Sequence, residues 1–433
     1  MAVGDLYSRR HALVGLGALA GGDLLASSAR AATIAADDDA VTADPWTRAR
    51  AQLVLNPQLA YFDTAQFGPS TRAVLATVYR AEEALHTDPS AFYDERYSSD
   101  AVLRLCQRMG TWLDCNADEV CFTGGALPGL MLTAHSLQLQ PGDEVVIAAQ
   151  VPEVLQRFWR QQATQRGVVL KIVNLPMPLN TQAEVLSAFE SALTERTRVV
   201  MCSHVQHGDG ALLPIRELCQ LARARGAVSM IDGTLTLGAL QFSLRDLGCD
   251  VYAGSLCHWL NGPQHTGVLF VSTALQANLQ TDPIIRAEPT LLPNINGWPA
   301  LQRRWSSEFV DLAPQFQGAT TALAWQEGFG RARIEARLRE LQIYTRMRLQ
   351  SIDGLQIVTP AVPGMWLQLL SIKPSRRSAV ELAEWLRSND NVIVSAFAGP
   401  QDGLNVLRVS LHLYNSPDEI ERLAHGLQRA ARA

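Results

Sequence analysis

The sequence predicts an α/β protein: a mostly parallel seven-stranded sheet flanked by helices, followed by a small α+β C-terminal domain. Three observations predict it. From about residue 118, short β-branched runs alternate with longer helical stretches. The runs are apolar without clean alternation. Past about residue 350 the order changes to paired strands separated by single helices. Strand–helix alternation argues for a parallel sheet covered by helices. Unalternated apolar runs argue for strands buried on both faces.

The seven strands read EVCFT, EVVIAAQ, VVLKIVNL, TRVVMCSHV, AVSMID, DVYAG and GVLFV. Helical text such as VLQRFWRQQATQRG and PIRELCQLARARG lies between most of them. Only a short segment joins the last two, which predicts an antiparallel strand at one edge. Helical text from about 318 to 351 leads into the second unit. That unit reads strand LQIVT, strand MWLQLLSI, helix AVELAEWLRS, strand VIVSAF, strand NVLRVSLHLY and helix PDEIERLAHGLQRA. The expected division is 61–325 for the large α/β domain and 326–433 for the small one.

Residues 1–32 have the layout of an export signal. Ser8-Arg9-Arg10 precedes an apolar run from Ala12 to Ala20 and a small-residue site at Ala29-Arg30-Ala31. The apolar run is too short and too rich in glycine to span a membrane. The paired arginines resemble a twin-arginine signal, although Ala12 replaces the usual large apolar residue. The expectation is a periplasmic or secreted protein, with no membrane attachment once the signal is removed. Residues 33–60 read as a linker and N-terminal arm.

The chain has 433 residues, 47% apolar and 18% charged, with a net charge of −5. Without long charge runs, nothing recruits nucleic acid or anionic lipid. A small molecule is the expected partner. The seven cysteines contain no CxxC pair and read as buried free thiols, while their spacing selects no disulfide. Of 37 basic residues only Lys171 and Lys373 are lysines. Amines for carbonyl chemistry are therefore scarce.

Six stretches carry a family resemblance: YFDTAQFGP (61–69), DEVCFTGGALPGL (118–130), SHVQHGDGALLPI (203–215), MIDGTLTLGAL (230–240), GSLCHWLNGPQHTGVLFV (254–271) and LRVSLHLYNSPDEI (407–420). In this order and spacing they resemble the class V aminotransferases, fold type I pyridoxal-phosphate enzymes, and within them the isopenicillin-N-epimerase-like branch. The resemblance implies a fold type I arrangement and a homodimer with clefts at the subunit boundary. It also implies a list of chemical parts. A lysine amine condenses with the cofactor aldehyde. An Asp keeps the pyridine nitrogen protonated. A turn at a helix N-terminus cradles the phosphate. An Arg pairs with the substrate carboxylate.

By this resemblance Asp232 matches the pyridine Asp and Arg408 the carboxylate Arg. Gly125, Ala126 and Ser255 belong to the phosphate cradle, and His207 falls near the ring hydroxyl, where the family has Asn. The lysine position holds His258, preceded by Cys257. An imidazole has no primary amine, so no Schiff base forms there. Leu127 and Pro128 remove a hydroxyl and a backbone donor from the phosphate turn. Val151-Pro152 replaces the stacking aromatic, Leu235 a polar ring neighbour, and Ala319, after Gly318, a partner-subunit Thr. Losing three phosphate donors costs up to roughly 5–9 kcal/mol if the terms add. No covalently bound cofactor is expected.

Three functions follow. The first is a repurposed or catalytically silent relative that binds a small amino- or carboxylate-bearing molecule at Arg408. The second is an enzyme using pyridoxal or pyridoxamine phosphate non-covalently, with His258 as acid or base. The third is a metal site formed by His207, Cys257 and His258; no short metal motif supports it. His265, in a turn, is expected to face solvent.

Overall fold

The computed structural model of the chain describes residues 44–96, 98–280, 297–305, 312–398 and 405–432. The predicted signal at 1–32 lies outside them. The chain divides into two units, Met1–Arg48 and Ala49–Ala433. Of the first, residues 44–48 are described and open the short helix Pro45–Ala51. Everything below concerns the second.

Each of the seven predicted apolar runs forms a strand of one sheet. They are β2 (Val120–Thr123), β3 (Glu144–Ala148), β4 (Val169–Val173), β5 (Thr197–Ser203), β6 (Val228–Asp232), β7 (Val251–Ser255) and β8 (Gly267–Val271), in the order β2-β8-β7-β6-β5-β3-β4. The strands from β3 to β7 pair in parallel. The antiparallel strand is β8, which lies one place in from the edge and pairs antiparallel with both β7 and β2. The pairing at that edge is antiparallel as expected, but the edge strand is β2 and not β8. A second correction concerns β4. Its apolar residues read as doubly buried, yet β4 is the other edge, and Val169 and Ile172 are 41% and 37% exposed.

The second sheet has the order β1-β11-β12-β10-β9. Its strands are β1 (Ala60–Phe62), β9 (Leu355–Ile357), β10 (Leu369–Pro374), β11 (Val392–Ala398) and β12 (Asn405–Ser410). The four later strands match the predicted α+β unit, although β10 begins at Leu369 rather than Met365. Strand β1 straddles the expected boundary at 60/61 and pairs in parallel with β11, so the first residues assigned to the large domain belong to the second sheet. The strand brings Asp63 beside β12, where it bridges to Ser410.

The long helical text near 318–351 is two helices, Ala313–Phe329 and Arg331–Leu349, broken at Gly330, whose φ is 85°. This conformation suits glycine, which has no Cβ to clash. Trp159, Trp259 and Trp305 are among the largest fully buried side chains. All seven cysteines are free, and six are buried. Among the described residues no helix is long and apolar enough to cross a membrane.

Candidate functional site

In open parallel sheets, ligands bind beyond the carboxyl ends of the strands. At that end β5, β6 and β7 align Ser203 with Asp232 and Asp232 with Ala253. Asp232 is the last residue of β6, and its side chain is fully buried. Oδ1 accepts from the Thr234 amide at 3.0 Å and the Thr234 hydroxyl at 2.5 Å. Oδ2 accepts from Ser203 Oγ at 3.0 Å and lies 3.3 Å from His207 Nε2. Burial raises the pKa of this carboxyl. The His207 hydrogen bond and charge, with the Thr234 bonds, outweigh burial and hold it below the usual range. An ionised carboxylate only accepts, so His207 Nε2 carries the hydrogen.

His207 is held by a compact loop after β5. Val205 bridges to Leu212, Gln206 N donates to Ala211 O at 2.8 Å, and Gly210 turns the chain at φ 73°. A Cβ at Gly210 would lie 2.7 Å from Leu369 Cβ, so the loop packs directly on β10. The His207 carbonyl accepts from Arg408 Nη1 at 3.0 Å.

Arg408 sits mid-strand in β12, in register with Ser371 and Ser395 on the flanking strands. The residue is only 1% exposed. Its Nη2 donates to Ser395 Oγ at 3.3 Å, and its guanidinium lies over the Phe397 ring at 4.6 Å. The buried Nε has no partner. Burial pushes its pKa down to about 10, partly opposed by the nearby Asp63, so it stays cationic at neutral pH. Ser395 Oγ in turn donates to Asp63 Oδ1. Burial raises the Asp63 carboxyl, with Ser395 and Arg408 pulling the other way.

His258 follows β7. Its Nδ1 is 3.0 Å from the Thr64 carbonyl, which only accepts, so Nδ1 carries the hydrogen and Nε2 is the acceptor. Burial, reinforced by His207 and Arg408, lowers its pKa to about 4 against the Thr64 bond. It is therefore neutral at pH 7 and within electrostatic reach of His207, Arg408 and Asp232. The segment is tightly held. A Cβ at Gly68 would come within 2.2 Å of both the Cys257 and His258 carbonyls, so only glycine permits this approach. Trp259 Nε1 donates to Leu411 O at 2.7 Å, and Gln326 Nε2 donates to Trp259 O at 2.6 Å.

The sequence nominates Asp232, His207, His258 and Arg408, and the fold brings them together. The sequence does not nominate Ser203, Thr234, Ser395, Asp63 or Thr64. Asp63 and Thr64 lie in a quoted motif, but no pattern in the sequence marks the hydroxyls as partners. The phosphate-turn residues also converge. Ser255 Oγ accepts from Ala126 N at 3.1 Å, beside the Gly125 N-cap. Leu127 packs partly against the core, while Val151 and Leu235 are buried. His265 is exposed, as predicted.

The metal reading does not fit. Among the described residues no three His, Cys, Asp or Glu side chains are placed to hold a metal ion. His207 and His258 each spend a nitrogen on the protein, and burial pushes the Cys257 thiol up to about 11. It remains a neutral thiol, and metal ligation needs the thiolate.

The aminotransferase class-V family model matches residues 100–423. The chain belongs to this family. It is 31% identical over 406 residues to isopenicillin N epimerase of Amycolatopsis lactamdurans, covering 90% of this chain and all of that one. It is 27% identical to isopenicillin N epimerase of Streptomyces clavuligerus, covering 88% of this chain and 97% of the relative. In structure it resembles the apo cysteine desulfurase of Thermococcus onnurineus NA1, with a TM-score of 0.76, 18% identity, and coverage of 88% and 97%. A C-DES mutant with glycine covalently linked to its PLP cofactor is equally similar, with a TM-score of 0.76 at 16% identity, covering 88% of this chain and 98% of that one. The fold is that of the fold type I PLP enzymes.

For this family member, the residues present do not fit PLP held in the family's way. Among the described residues no lysine reaches the site. Lys171 Nζ bonds Glu144 at 2.7 Å and the Ala192 carbonyl at 3.1 Å. Glu144 is level with Thr197, six residues and about 20 Å before the Ser203–Asp232 level. Lys373 is exposed on the second sheet. Asp232 is already fully bonded. At the phosphate turn Pro128 lacks an N–H, and the Ala126 amide is taken by Ser255.

Proposed function

We propose that this protein is an exported, repurposed class V aminotransferase relative that binds a small amino- and carboxylate-bearing molecule and has left ordinary Schiff-base chemistry. The observation that carries the reading is Arg408. A buried guanidinium whose Nε lacks a partner, beside the His207 loop and within electrostatic reach of the neutral His258 imidazole, suits a ligand carboxylate. Buried donors left unmatched are costly, and an anion that binds there removes the cost. His258 supports the amino half of the ligand. Its Nε2 is an acceptor at neutral pH, able to receive a hydrogen from an ammonium group or to move a proton, but unable to form an imine.

Export rests on the twin-arginine-like N-terminus, and the homodimer rests on the family resemblance. Both belong to the proposal.

The test is direct. Protein isolated from its exported location should leave the absorbance of added PLP at that of the free aldehyde. Borohydride given to the protein as isolated, with no PLP added, should yield no pyridoxyl group on Lys171 or Lys373. Native mass spectrometry should detect a small retained acid, and R408A should weaken its binding by about 10- to 100-fold, the value of one charge-assisted hydrogen bond. A reducible lysine adduct in the protein as isolated, or retention unaffected by R408A, would sink the reading.

A further inference from the structure

We propose that His207 takes the place of the cofactor ring at Asp232 and closes that carboxylate to a pyridinium N–H, so that an amine at position 258 is not by itself enough to restore PLP binding. The inference rests on the reading of the site as one that has left Schiff-base chemistry, and it locates a second, independent block.

A carboxylate offers about four lone-pair positions. In this chain all four are used by its own groups: the Thr234 amide and hydroxyl on Oδ1, Ser203 Oγ and His207 Nε2 on Oδ2. Three of these donors are part of the strand-end architecture. Ser203 is the strand neighbour in register with Asp232, and Thr234 lies two residues on. The fourth comes from the loop after β5. It is also the longest of the bonds, at 3.3 Å. His207 keeps 25% of its side chain exposed, while that of Asp232 is fully buried. The imidazole therefore covers the carboxylate, and a ring nitrogen seeking Asp232 must displace it.

The loop resists displacement. The His207 carbonyl is bonded by Arg408, and Gly210 is packed against Leu369. His207 thus couples the strand-end carboxylate to the arginine that would hold the ligand.

The experiment compares H258K, H207N and the H258K/H207N double variant with the wild type, titrating each with PLP and reading the imine absorbance and the dissociation constant. In the double variant PLP should bind about 10- to 100-fold tighter than in H258K alone, the value of a hydrogen bond to an ionised group. An analogue with carbon in place of the ring nitrogen should gain nothing. Equal affinity of H258K and the double variant, an equal gain for the analogue, or no binding by any variant would overturn the proposal. Urea melts establish that each variant is folded, and H258K/H207Q repeats the test if Asn at 207 prevents folding. Saturable PLP binding by the wild type would instead count against the proposed function, because it needs no variant to appear.

Discussion

Two buried carboxylates stand at opposite ends of the parallel strands. At the entry end, Glu144 is bonded by Lys171 at 2.7 Å, Thr194 at 2.6 Å and Arg196 at 3.2 Å. At the exit end, Asp232 is bonded by Ser203, Thr234 and His207. Both carboxyls are held below their usual range although burial pushes the other way. The difference is the partner. Glu144 faces two permanent cations and acts as a clasp for β4 and the chain entering β5. Asp232 faces two hydroxyls, a backbone amide and one imidazole. The amine that the family's chemistry requires is present in this fold, but it serves the clasp and not the site.

The largest expected effect separates the two ends by pH. His204 and His412 are buried with pKa values lowered to about 3, and His258 is lowered to about 4, in each case chiefly by burial. His204 follows β5, His258 follows β7 and His412 follows β12, so all three flank the site. A depressed imidazole pKa means that the unfolded chain binds the proton first. Stability is therefore full above about pH 6.5 and falls as the pH drops towards 4, by about 1.4 kcal/mol per pH unit for each imidazole. The Glu144 clasp, whose pKa is lowered, loses stability only below the ordinary Glu range. Urea unfolding across pH should show the histidine loss first, and H412Q should shrink it.

Next in size, E144A leaves Lys171 without its carboxylate and should cost about 3–5 kcal/mol in urea unfolding, with no change in ligand retention. D232N should cost less, about 1–3 kcal/mol, because the amide still accepts on one oxygen. It should also change the side-chain nitrogen resonances of His207. If D232N proves the more costly, the two ends are not the clasp and site described here. The smallest effect is K373A, which removes an exposed charge and should stay within about 0.5 kcal/mol.

The strands were legible because buried β-structure shows as unbroken apolar runs. The runs do not carry strand order, so β8 and the edge position of β4 were misjudged. The pairing of β1 with β11 was invisible, since three residues give no period and their partner lies more than 300 positions away. The site was legible as residue types: Asp232 at a strand end, Arg408 in LRVSLHLY, His258 in GSLCHWLNGP. Their partners were not. Ser203 lies 29 positions from Asp232, and Ser395 lies 332 positions from Asp63.

What the sequence determined by itself was the chemical inventory. It places two lysines outside every cofactor motif, a histidine in the family's lysine segment, and alternating elements that form a fold type I frame. Only the tertiary structure decided how that inventory is spent: Lys171 on Glu144, His207 on Asp232, and Arg408 left with one unmatched nitrogen. The physical reason is that hydrogen bonds act over about 3 Å. Strand register and loop packing bring distant segments within that range, and no local pattern in the chain encodes the distance.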